Sequence, residues 1–299
     1  MSESKYAPRL YYKGALLYES GIINCRLMKL SNIYNRRNRI LLRELVVTDF
    51  KLRYQGSVLG YVWSLLKPLM LFAIMYVVFV HFLRFGQGID HFAVSLLLGL
   101  VLWSFFIEAT SQGMGAIVGR SDLIRKINFP KYIIVMSGTI SALINLVLNL
   151  IIVFIFMVFD GVDFGWTALL FPFTVLIIYI FSLGIAFFLS AAYVKFRDIG
   201  HLWEVFLQGL FYATPILYPL QMVIEVGGNF AAQLLMLSPI AVLFQTARAQ
   251  VIGHDNIITA DQLFDNPLWL MLPYVIIAVT LVLATVYFKK NQAKFAEQV

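Results

Sequence analysis

Few side chains in this 299-residue chain stand where they could do chemistry, and the most conspicuous are three charges: Lys67, Glu108 and Glu204. Each lies at one end of an apolar run. A charge at such a place must either reach for the interface or find a partner. The expectation is an ion pair between Lys67 and one of the two glutamates. Covalent catalysis lacks its parts. There is no Gly-x-x-x-x-Gly-Lys-[Ser/Thr] loop to cradle phosphates, no HExxH, and no nucleophile–base arrangement or paired carboxylate site. Cys25 is alone, and His81, His91, His201 and His254 are scattered without ligand spacing. The chain therefore reads as a non-enzyme with no cofactor or metal of its own.

The elements that must position these charges follow from composition. Hydrophobic residues make up 61% of the chain and charged residues 13%. A soluble domain carries about 25% charged residues because its surface meets water. Seven apolar runs are present, and a spanning helix needs roughly 17–25 residues. Six runs reach that length, near 62–83, 92–111, 132–159, 168–194, 202–220 and 268–288. The seventh is short and interrupted by Ser238-Pro239, so 230–252 is expected to form a short re-entrant hairpin on the outer side before the last helix. Charge supports the count. With six spans, 21 of the 23 Lys and Arg fall on one side: twelve before residue 68, four in 112–131, two in 195–201 and three after 288. Arg84 and Arg248 remain on the other side with seven acids, Asp90, Asp160, Asp163, Glu225, Asp255, Asp261 and Asp265. The positive-inside rule then places both termini in the cytoplasm. Seven spans would carry Lys289, Lys290 and Lys294 outside.

The fold class is thus an all-α polytopic membrane protein with a cytoplasmic segment 1–36, a transmembrane domain 37–288 and a cytoplasmic tail 289–299. The net charge of +7 borders the cytoplasmic leaflet and does not form a nucleic-acid face. Within 37–60, Leu42, Val46 and Phe50 make one stripe. Arg39, Arg43, Lys51 and Arg53 lie away from it, as in an amphipathic helix resting in the interface.

Four stretches carry a family likeness: Arg43-Glu44-Leu45 with Asp49 through Tyr54 and Gly56 through Pro68; Ser121 through Pro130; Phe196-Arg197-Asp198-Ile199; and Pro215-Ile216-Leu217-Tyr218-Pro219. In this order, and with this topology, the chain resembles ABC-2 type permeases. It is most similar to the branch exporting O-antigen, teichoic acid and capsular polysaccharides. Leu237-Ser238-Pro239 departs from the Leu-Asn-Pro expected there. The resemblance implies a homodimer bound to two copies of an ATP-binding cassette subunit that holds ATP and Mg. It further implies a lipid-linked glycan as cargo and a bacterial cytoplasmic membrane as location. An ABC-2 exporter of a drug or lipid, and a secondary transporter or flippase, are the alternative readings.

Two sets of residues would serve such a machine. In 121–131, Ser121 is placed to cap a short helix, with Asp122 at its positive end. Leu123, Ile124 and Ile127 would form an apolar ridge, with Arg125 and Lys126 on the other side and Pro130 as the stop. The plain reading is a basic loop that fixes topology; the sharper one is a helix that docks on the ATP-binding subunit. The second set is aromatic: Phe72, Tyr76 and Phe79 in the first span, and Phe211, Tyr212 and Tyr218 in the fifth. These either pack and face lipid, or line a channel as flat apolar faces for sugar rings.

Overall fold

The computed structural model describes residues 36–298 apart from 58, 61, 87, 88, 128, 164 and 254–256. Residues 1–35, and Val58, Tyr61 and Asn128 of the motifs above, lie outside the described residues. The helices in chain order are α1 (Arg36–Tyr54), α2 (Val62–Phe82), α3 (Phe92–Gly119), α4 (Ser121–Lys126), α5 (Tyr132–Asp160), α6 (Trp166–Lys195), α7 (Ile199–Ala213), α8 (Leu220–Met236), α9 (Pro239–Ile252), α10 (Ala260–Leu263), α11 (Pro267–Lys294) and α12 (Phe295–Gln298). Five of them, α2, α3, α5, α6 and α11, are long and apolar enough to cross a membrane, and the bent pair α8–α9 raises the number to six if it counts as one span. In hydrocarbon a helix is the form that satisfies every backbone group within its own segment.

The hub is α3, buried along most of its length between α5, α6 and α9. Small residues let the helices close in. A Cβ on Gly113 would collide with Ala186 of α6, and one on Gly184 would press on the Leu281 backbone of α11. Lipid tails give no hydrophobic drive to helix pairing, so such close packing is a main source of cohesion. By contrast α2 buries only Phe72 in its α-helical part and α7 only Leu207. Both leave broad apolar faces open.

Several extents differ from the sequence reading. The second long helix runs to Gly119, not 111, because Gly113 and Gly115 do not stop a helix that packs against α5 and α6. The helix expected over 202–220 ends at Ala213, since Thr214–Pro219 contains two prolines that cannot continue its ladder. The segment expected as a hairpin over 230–252 begins earlier: it is two helices, Leu220–Met236 and Pro239–Ile252, that bend by 103° at Leu237-Ser238. The last helix does not release a free tail. Phe295 of α12 is wholly buried, its ring edge-on to Phe288, and α12 packs beside α4.

Candidate functional site

Three helical stripes face one another near the Lys/Arg-rich end of the bundle. Ser64, Lys67, Pro68 and Leu71 recur at i, i+3, i+4 and i+7 on α2. Glu108, Ser111 and Gln112 repeat that spacing on α3, and Asn145 and Asn149 stand one turn apart on α5. Together with Arg53 from the last turn of α1 they bound a cavity of about 730 Å³. Glu108 Oε1 accepts from Arg53, from Gln112 Nε2 at 2.8 Å and from Asn145 Nδ2 at 2.7 Å. One turn before Arg53 on α1, Asp49 accepts from Arg120, which also donates to Ser137 Oγ at 2.6 Å. Two ion pairs thus tie α1, which packs on α5, to Glu108 of α3 and to Arg120, the residue that follows α3.

This corrects two expectations. The partner of Glu108 is Arg53 and not Lys67, and Arg53 turns inward, away from the outward basic set. The reason is register: Asp49 and Arg53 are four apart, so they share one face of α1 and reach Arg120 and Glu108 when Leu41, Leu42 and Leu45 pack on the neighbouring core. Lys67 borders the same cavity without a carboxylate partner among the described residues. Glu204 is largely exposed on α7, with His201 Nδ1 4.0 Å away, and does not line the cavity.

Removing Arg53 alone should leave Glu108 half-buried and uncompensated. Arg53→Met is expected to lower stability by about 1–3 kcal/mol, and Glu108→Gln in the same chain to restore most of it. Thermal unfolding of the purified single and double variants measures this. A double variant as weak as the sum of the singles would mean that the pair contributes nothing.

A second site lies at the opposite end. Arg248 of α9 is 3% exposed and has no carboxylate within bonding distance among the described residues. Its donors go to backbone instead: Nε to Ser95 O at 3.0 Å, Nη1 to Pro215 O at 2.5 Å and Nη2 to Ile216 O at 2.8 Å. Nη1 also meets Gln245 Oε1 at 3.1 Å. The carbonyls of Pro215 and Ile216 belong to the break after α7, where helical partners are lacking. Gly99 lies directly beneath the guanidinium, and a Cβ there would overlap it. Sequence reading counted Arg248 as an outer-side charge. A lone arginine in an apolar helix, downstream of a Pro-x-x-x-Pro break, was the signal that could have found its role.

The remaining candidates divide. In α4, Ile124 is 3% exposed and packs into the chain's own core with Ile117, Phe288 and Phe295, whereas Ile127 is 41% exposed. The expected outward ridge of Leu123, Ile124 and Ile127 is therefore split: Leu123 is partly buried against the same core, and the open face carries Asp122, Arg125, Lys126 and Ile127. The helix is six residues long and ends at Lys126, before Pro130; Ser121 is its first residue and Arg120 stands at the N-cap, with no side-chain capping hydrogen bond. Among the aromatics, Phe72 is buried against Tyr76 and Phe156, Phe79 packs on Phe85, and Phe211 packs on Trp103. Tyr76 and Tyr212 keep exposed rings, and Tyr218 donates its hydroxyl to Tyr212 O at 2.9 Å. Among the described residues, no group of three His, Cys, Asp or Glu is placed to hold a metal ion.

A family model described as ABC-2 type transporter matches residues 40–251, a stretch that includes every residue of the cavity and Arg248. The chain is 33% identical over 216 residues to the O-antigen export system permease protein RfbA of Myxococcus xanthus, covering 72% of this chain and 82% of that one. It is 27% identical over 179 residues to an O-antigen export system permease protein RfbA of Klebsiella pneumoniae, covering 59% of this chain and 68% of that one.

Proposed function

The chain belongs to the ABC-2 type transporter family, and on that premise we propose that it is the permease of an ABC exporter for a lipid-linked polysaccharide of the O-antigen or teichoic acid kind. The observation that carries this reading is the 33% identity to an O-antigen export permease over most of both chains. Energy would come from two copies of an ATP-binding cassette subunit, which would hold ATP and Mg, because this sequence has no phosphate-cradling motif. Two copies of this chain would form the membrane unit. The open apolar faces of α2 and α7 support that pairing, since both expose long stripes with little of their own chain to cover them.

In this reading the transmembrane domain is 37–288, with 1–36 and 289–299 in the cytoplasm of a bacterial cell. Helix α1 lies in the inner interface, and α7 with the Thr214–Pro219 segment makes the fifth crossing. Fifteen residues of α7 span about 22 Å, so the non-helical segment would complete the path through roughly 30 Å of hydrocarbon. Both ends of the α8–α9 pair support a re-entrant path. Leu220 follows the end of the α7 break, while Arg248 and Gln250 bond to the start of α3 and the first half of α6. Five crossings would put Lys289, Lys290 and Lys294 outside, against the positive-inside rule.

Deleting the chain from its host is expected to abolish surface polysaccharide while the lipid-linked polysaccharide accumulates inside. Co-expression of the chain with an ATP-binding cassette subunit should restore it. Surface glycan unchanged in the deletion, measured by extraction and gel profile, would overturn the export reading.

A further inference from the structure

The α1–α2–α3–α5 cavity holds more polarity than the packing of four helices requires. Arg53 and Lys67 face Glu108 alone, which leaves one positive charge unmatched, and Arg53 is already engaged by Glu108. The surplus charge is the Lys67 ammonium. Deeper in, Asn145 is 4% exposed, and its Oδ1 has no hydrogen-bond partner. Its amide cannot turn over, because Nδ2 must face the Glu108 carboxylate, and an oxygen there would meet an oxygen. A buried acceptor left open carries a desolvation penalty, so its persistence needs an explanation such as a ligand that supplies the missing donor.

The geometry points to one ligand chemistry: we propose that this cavity binds the phosphorylated sugar headgroup of a lipid carrier, with Lys67 on the phosphate and Asn145 Oδ1 accepting from a sugar hydroxyl. This rests on the reading of the chain as a permease for lipid-linked polysaccharide and names where its cargo is first held. A cation is disfavoured by the net positive charge. An apolar compound would leave both Lys67 and Asn145 unsatisfied. A free sugar has no use for the ammonium, and a free phosphate fills none of the volume beside Asn145. The size, about 730 Å³, lies within the range of about 300–1,000 Å³ usual for small-molecule sites. Pro68, Leu71 and Leu146 give the cavity an apolar wall suited to the lipid chain. Lys67 is the sixth residue of α2, about 8 Å into that helix, a depth at which a headgroup can arrive from the inner leaflet with its tail still in hydrocarbon. Glu108 does not touch the ligand; it orients Asn145 and neutralises Arg53.

The test is binding to the full-length chain in lipid nanodiscs, using four probes: farnesyl diphosphoryl glucose, farnesyl diphosphate, farnesyl glucoside and inorganic phosphate. The first should bind tightest. Lys67→Gln should weaken both diphosphates by about tenfold or more and leave farnesyl glucoside unchanged, and Lys67→Arg should restore them. Asn145→Leu should weaken the two glucosylated probes and spare farnesyl diphosphate. Thermal unfolding of each variant checks that the fold survives. Inorganic phosphate displacing the glycosylated lipid as well as farnesyl diphosphate does would show a bare anion site and overturn the proposal. Export by the intact transporter, followed in parallel, separates the two readings. Wild-type cells that export nothing would remove the polysaccharide assignment. Normal export with unchanged binding in Lys67→Gln would remove only the cavity assignment.

Discussion

Replacing Arg248 with methionine is expected to destabilise the chain by about 3 kcal/mol or more. The substitution keeps much of the side-chain volume but withdraws donors from Ser95 O, Pro215 O and Ile216 O at once. Each buried acceptor left open costs about 1–3 kcal/mol, and relaxation recovers part of the sum. Lysine should not rescue it. One ammonium on a flexible stem cannot reproduce the planar fork that reaches two carbonyls on the α7 break and one on α3. Gly99→Ala should be damaging by the same route, since its methyl would displace the guanidinium. The diagnostic result is the double variant: once Arg248 is methionine, the added methyl meets a movable thioether. Gly99→Ala should then cost little more. Unfolding in detergent followed by tryptophan fluorescence measures the four variants against wild type. Equal stability of wild type and Arg248→Met would show that those carbonyls find other partners.

The second large effect concerns α4, for which we propose a contact with the ATP-binding subunit. Ile127→Asp is expected to abolish co-purification of that subunit and stop export, with the permease itself unchanged in stability. Ile127 is exposed beside Arg125 and Lys126, and a carboxylate buried there against a partner would be unpaired. Loss of such an anchor weakens binding by at least about 2 kcal/mol, roughly 30-fold. Ile124→Asp should behave differently. Its side chain is packed with Phe288 and Phe295, so a charge there attacks the fold and lowers thermal stability before any partner is met. The pair of variants therefore separates docking from folding. Full partner recovery and export in Ile127→Asp would show that this face is not the contact.

Burial of Phe295 gives α4 a second meaning. The short helix is held from behind by the end of α11 and by α12, so it projects from a packed base and not from a loose loop. Nothing in the run Lys289 through Val299 announces this, because a single phenylalanine among polar residues has the same composition as a frayed end.

Composition, hydropathy and charge position were enough to read an all-helical membrane chain, and the motif order was enough to point to its family. Those properties depend on one-dimensional facts. Hydrocarbon imposes a length on each apolar run, and lysine and arginine mark one side of it, whatever the helices do to one another. Partners were a different matter. Lys67, Glu108 and Arg53 could each be seen as charges near a membrane face, yet which two meet depends on the rotation of α1 where it packs on α5. That rotation is set by Leu41, Leu42 and Leu45 packing elsewhere. Likewise Arg248 appears in sequence as one outer charge among several. Only the approach of α9 to Gly99 and to the broken end of α7 makes it a clamp on backbone carbonyls. The sequence alone determined which segments belong in lipid, because that is a transfer property of each segment by itself. Tertiary structure decided which polar groups inside satisfy each other and which, like Asn145 Oδ1, are left open, because hydrogen bonding between helices is fixed by their relative rotation and depth, to which hydropathy is blind.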